Sequence, residues 1–305
     1  MNLNDTVIND LFNRTINHVD NNYNYDGDIK HLLYIIIPAF IIKYGYNNIN
    51  KIFKLFDEVP MIRKNNTEKI LQAYYTSIPL VLGDKIITSK HIVLNYYKDK
   101  SLIEFIDNIV HEYNHAINSM IDEIKWDDNY IYLRTGLMYI KYNKNNYEDN
   151  SKDDSYILEE IINTKQTEEI IDIINSFNNY NIDNTIINNT LYNIDKYINN
   201  SYISNAYLLQ STLCKELMNN HTLISVLSNL RFQGNIEEIP YFFDNVTGED
   251  GSYSKLIRIL NESVKLEEEY SKTKFFKNRK IIKLKRLYES AKEIVDTFNR
   301  NYHFV

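Results

Sequence analysis

The stretch best equipped for chemistry is Val110-His111-Glu112-Tyr113-Asn114-His115-Ala116, which reads H-E-x-x-H. On a helix, residues four apart sit one turn above each other on the same face. His111 and His115 can then direct two imidazoles at one metal ion. Glu112 lies about 100° round the helix, close enough to reach a water beside that ion. Catalytic zinc usually keeps three protein ligands and one open position. The chain must therefore supply a third ligand, a shaped cleft and a supporting core.

The third ligand decides the class. An extended H-E-x-x-H-x-x-G-x-x-H pattern of the metzincin kind needs Gly at 118 and His at 121, and the chain has Asn118 and Ile121. A deformylase-type site needs an upstream cysteine, and the single cysteine is Cys214, far downstream. A Glu on a second helix remains. The segment Leu158-Glu159-Glu160-Ile161-Ile162-Asn163-Thr164-Lys165-Gln166-Thr167-Glu168 offers two adjacent ones.

Together with the H-E-x-x-H run, that segment resembles the L-N-E-A-I-T-E/D pattern of gluzincins, the thermolysin-like zinc metallopeptidases, and is most similar to their compact members. The resemblance covers residues 60–175. It implies a zincin-like fold, one zinc ion, and His111, His115 and Glu160 as its ligands. The activity implied is peptide-bond hydrolysis, with zinc acidifying its bound water and Glu112 as general base. In that family a Tyr or His stabilises the developing oxyanion. Tyr139, Tyr142, Tyr156 and His221 are the candidates here; the sequence does not choose among them, and Tyr156 and His221 are carried as catalytic candidates. His221 reads more readily as a helix N-cap or surface histidine than as a catalytic one. Two departures stand out. Glu159 replaces the usual Asn and is a rival ligand, and Thr164 stands where the family often has an acid that orients a ligand His. Support for the ligands would then come from Thr164, Asn163 or another residue.

The elements that must position these residues are legible as patterns. Residues 6–19, 29–44 and 47–57 read as helices, with Gly45 breaking the last two. From Met61 to Tyr97 short β-branched and aromatic runs suggest a small sheet: Ile70–Tyr75, Ile78–Leu82, Lys85–Thr88 and His91–Tyr97, with Gly83-Asp84 as a hairpin turn. The last run could pair with an extended peptide at a sheet edge. Ser101-Leu102-Ile103-Glu104 is a capping box that predicts the start of the H-E-x-x-H helix, running to about Ile124. Residues 130–142 alternate as strand around Arg134-Thr135-Gly136, for which a structural ion pair or hydrogen bond is expected of Arg134. A second helix runs from Ser155 to about Phe177. Five more follow near 184–198, 202–218, 221–231, 253–270 and 276–300, with a loop at 234–251. The fold class expected is α+β: a small mixed sheet with the active-site helix, then a helical C-terminal half. The segments expected are 1–60, a catalytic core over 61–180 and a helical subdomain over 181–305.

The chain has 305 residues and a net charge of −7 spread along its length, which gives no support for a nucleic-acid partner. Gly (7) and Pro (4) are scarce, which favours regular elements. One cysteine allows no intrachain disulfide, and Cys214 reads as an inert thiol. The most apolar run, Leu32–Ile42, is short for a bilayer and holds Pro38, so no membrane partner is expected. The basic run Lys272–Arg286 reads as a solvated helix face. The polar start lacks a signal-peptide pattern. A cytoplasmic protein acting on a peptide or protein substrate is the expectation, with leaderless export as the alternative. The other readings carried are a zinc-binding but catalytically idle scaffold or interaction module, and a toxin-type protease with a specific host target.

Overall fold

The helix α2, Gly27–Tyr44, is apolar all round, and a helix of that kind belongs inside a core. Residues Leu32 to Ile41 are buried without a break, Pro38 included. A computed structural model describes residues 3–65, 73–82, 85–96, 106–119, 125–127, 129–144, 155–201, 211–272 and 277–302. The fold is mixed α+β. It divides into two units, residues 1–120 with 166–204, and residues 121–165 with 205–305. The units are discontinuous in sequence, whereas the sequence reads as three consecutive segments.

In the first unit α2 packs with α1 (Asp5–Asn22), α3 (Ile49–Glu58) and α6 (Thr185–Ser201). The strands β1 (Met61–Asn65), β2 (Ala73–Leu82) and β3 (Lys85–Tyr96) form a sheet in the order β1-β3-β2. β1 runs parallel to β3, and β2 antiparallel. The H-E-x-x-H residues lie on α4, Ile106–Ile117, which packs against β2, β3 and α3.

Two sequence expectations change here. The run His91–Tyr97 is not at an edge, because β3 bonds β1 along residues 92–96 and β2 along residues 85–94. The edges belong to β1 and β2, each of which among the described residues pairs on one side only. The separate runs expected within 70–97 are two long strands, since the register carries through Ser77 opposite Lys90 without a break. Pro79 sits in β2 at no cost to the ladder. Its position shares parity with Tyr75, whose N–H points away from β3, so the missing N–H faces the free edge. The expected capping box, the Gly83-Asp84 turn and the end of the active-site helix beyond residue 119 lie outside the described residues.

In the second unit a meander, β4 (Lys125–Trp126), β5 (Tyr130–Thr135) and β6 (Met138–Asn143), turns at Gly136 with φ 59°. The first half of α5 (Tyr156–Ser176), α7 (Thr212–Met218), α8 (His221–Gln233), α10 (Ser252–Lys272) and α11 (Lys277–Tyr302) complete it. The expected loop at 234–251 holds a further helix, α9, Ile239–Thr247. Pro240 fits its first turn, Gly248 ends it in the left-handed region at φ 72°, and Ile239, Phe243 and Val246 bury one face. Leu158, Ile161 and Ile162 of α5 join one core with Cys214, Leu227, Phe243, Leu260 and Phe298. Among the described residues no single helix is long and apolar enough to cross a membrane.

Candidate metal centre

Two faces of α4 do different work. The rear face is locked into the core of the first unit. Tyr113 is fully buried, its ring 4.1 Å from that of Phe56, and its hydroxyl donates to the Val59 carbonyl at 3.1 Å. Burial pushes its phenol pKa well up, so it remains a neutral donor. Asn114 accepts from the Tyr44 hydroxyl of α2, and Asn118 Nδ2 donates to the Asn114 carbonyl at 2.7 Å. Ser119 Oγ donates to the His115 carbonyl at 2.7 Å. The two x positions of H-E-x-x-H, Tyr113 and Asn114, thus fix the rotation of the helix.

The opposite face carries the two histidines. His111 Nε2 and His115 Nε2 lie 3.2 Å apart. A tetrahedral zinc with nitrogen arms of 2.0–2.1 Å places its ligand atoms about 3.3–3.4 Å from each other. The two rings therefore converge at nearly the spacing one such ion requires. Ligand atoms of His111, His115 and Glu160 lie within 4.8 Å of one another, with His115 buried and the other two half-buried. Two imidazoles and one carboxylate are a common donor set for a catalytic zinc, so the residues present fit the metal.

Glu112, the next residue round α4, accepts the Tyr75 backbone N–H at 2.6 Å. Asp107 lies one turn before His111 on the same face. Burial pushes its carboxyl pKa up, the neighbouring His111 pulls it down, and Glu168 of α5 raises it further. The second half of α5 is tied to α2 by the half-buried ion pair Lys43–Glu169.

The first half of α5 resolves two adjacent carboxylates into different settings. Glu159 and Arg231 of α8 form an ion pair in which both side chains are fully buried. Glu159 also accepts the Leu137 N–H at 2.9 Å, and Arg231 donates to Asn163 Oδ1 at 3.0 Å. Arg134 donates to the Arg231 carbonyl and, at 3.1 Å, to the Gly136 carbonyl. A side chain at Gly136 would collide with the Glu159 carboxylate, which with the positive φ explains the glycine. Glu159 and Asn163, one turn apart, face Arg231, so Glu160 projects about 100° away.

The residues expected from the sequence fall out unequally. His111, His115 and Glu160 come together, and Glu112 sits beside them on α4. Tyr156 is the first residue of α5, one turn before Glu160 and 51% exposed. His221 is exposed at the start of α8, where Asn220 does the capping through its bond to the Leu223 N–H at 3.0 Å. Tyr139 and Tyr142 are half-buried on β6. Thr164, one turn after Glu160, is buried, and its hydroxyl has no hydrogen-bond partner among the described residues. Sequence reasoning missed Arg231, for which the sequence holds no local signal.

Comparison with known protein families, with characterised proteins and with solved structures gives no match.

Proposed function

We propose that the chain is a zinc-dependent peptide hydrolase of the gluzincin type, with a zincin-like core. The observation that carries this reading is the convergence of ligand atoms of His111, His115 and Glu160 within 4.8 Å of one another, beside Glu112 on the same helix as the two histidines. Zinc bound there would supply Lewis acidity toward a carbonyl oxygen and toward water.

The chain's own residues would do the rest. The two histidines and Glu160 hold the ion and leave one position open. Glu112 takes a proton from the attacking water and delivers it to the leaving amine. Its neighbour Tyr75 lies on β2 and donates its backbone N–H to Glu112. Tyr156, on the Glu160 face of α5, is better placed than His221 to assist at the oxyanion, because its position four residues before Glu160 puts it over the same stripe.

Glu112→Gln tests this reading. The variant should retain one zinc per chain and lose about 10²–10⁴-fold in peptide cleavage, measured on a random peptide library. Undiminished cleavage by the variant would sink the assignment of Glu112. A wild-type chain that holds zinc and cleaves nothing in the library would favour a binding scaffold.

A further inference from the structure

We propose that Arg231 is a positioning residue for the metal ligand Glu160, acting through the rotational register of α5; this rests on the zinc-peptidase reading above. One guanidinium nitrogen, Nη2, meets both Glu159 Oε1 and Asn163 Oδ1, the latter at 3.0 Å. Those two residues are four apart, so Arg231 grips α5 along one full turn. Glu160 lies in that turn, next to Glu159. The other Glu159 oxygen accepts the Leu137 N–H at 2.9 Å, which ties the same turn to the β5–β6 hairpin. Arg231 is itself held, because its carbonyl accepts from Arg134 and from the N–H of Gly234, the cap of α8. Glu159, Asn163 and Arg231 are each 0% exposed.

A buried ion pair is weak evidence for stability, because desolvation offsets its attraction; its best-attested use is to fix a register. Here the register is the rotation of α5 about its own axis. A side chain reaches about 5–6 Å from a helix axis, so a rotation of about 20° carries its tip about 2 Å. Zinc–ligand distances hold to within about 0.2 Å. The group of His111, His115 and Glu160 therefore tolerates little rotation of α5. Apolar packing in place of the pair would permit some, since it has no preferred direction. A planar guanidinium fork meets its acceptors in one orientation. The action of Arg231 runs through Glu159 and the backbone to Glu160, not through contact with substrate.

The test is zinc affinity, read by chelator competition on the full-length chain, beside stability in urea. Glu159→Gln combined with Arg231→Met removes both charges and keeps an acceptor for the Leu137 N–H. The double variant should fold and should bind zinc more weakly by about 10-fold or more. In cobalt-loaded chains its visible bands should shift or weaken relative to the parent. Arg231→Lys, which keeps the charge and loses the fork, should fall between the two. Leu227→Ala opens a cavity in the same core and reports what lost stability does alone. It should cost stability and leave zinc affinity within about threefold of the parent. His115→Ala reports the metal reading itself and should lose zinc. If the double variant fails to fold by circular dichroism, Arg231→Lys decides on the same criteria. Parent-like affinity in the Arg231 variants, with zinc lost in His115→Ala, overturns the role of Arg231 and leaves the metal site standing. An equal loss of affinity in Leu227→Ala overturns that role as well. A parent chain that takes up no zinc overturns both.

Discussion

Glu159 and Glu160 are neighbours in the chain, and their carboxylates have opposite circumstances. Glu159 is fully buried, and its oxygens are met by Arg231 and by the Leu137 N–H. Glu160 is half-buried, and one of its oxygens lies within 4.8 Å of ligand atoms of His111 and His115. A buried charge met by a guanidinium and a backbone N–H is a structural device. Two imidazoles and a carboxylate that converge are instead a donor set that suits a zinc ion. The same residue type one position apart thus holds the fold in one case and offers coordination in the other. The difference is set by which face of α5 meets Arg231.

The sharpest way to break this contrast is to remove Arg231. Arg231→Met leaves Glu159 charged, buried and unpaired, and should destabilise the chain by about 3–5 kcal/mol in urea denaturation. Pairing it with Glu159→Gln should recover a large part of that loss, a strong non-additivity. Additive losses would mean that the pair is not the unit described.

A gentler test uses a third carboxylate. Asp244 of α9 is mostly exposed, yet accepts from the Gly251 N–H at 2.7 Å, the Tyr253 N–H at 2.9 Å and the Ser252 hydroxyl at 2.9 Å. Burial acts to raise its pKa, and the hydrogen bonds from Tyr253, Gly251 and Ser252 outweigh it, so the net shift is downward. A depressed folded-state pKa gives stability that is present above the ordinary aspartate pKa and is lost as pH falls through the folded value. Asp244→Asn should therefore lower stability at neutral pH, change little below the folded-state pKa, and so flatten the acid limb of the stability curve. An unchanged acid limb would show that Asp244 behaves like any solvated carboxylate.

How much of this was legible in the sequence follows from whether the signal is local. The i, i+4 spacing of His111 and His115 needs only a helix, and α4 is one. The break at Gly45 is a local backbone demand, and that glycine adopts positive φ; the turn at Gly136, also at positive φ, divides what read as continuous strand. The strand order was not legible, because pairing β1 with β3 across the chain depends on packing that no neighbouring residue announces. The helix α9 was hidden by its flanking glycines, which looked like loop residues and are instead turn and cap residues around it. Glu159 and Glu160 are indistinguishable as letters. They separate only when Arg231, 72 residues away, takes one of them.

The most direct test of the central claim is zinc-edge anomalous scattering from crystals of the chain grown with zinc. The account predicts one strong peak bonded to His111 Nε2, His115 Nε2 and a Glu160 oxygen at about 2.0–2.2 Å. Absence of a peak there, or a peak bonded to Glu159 in place of Glu160, would contradict it.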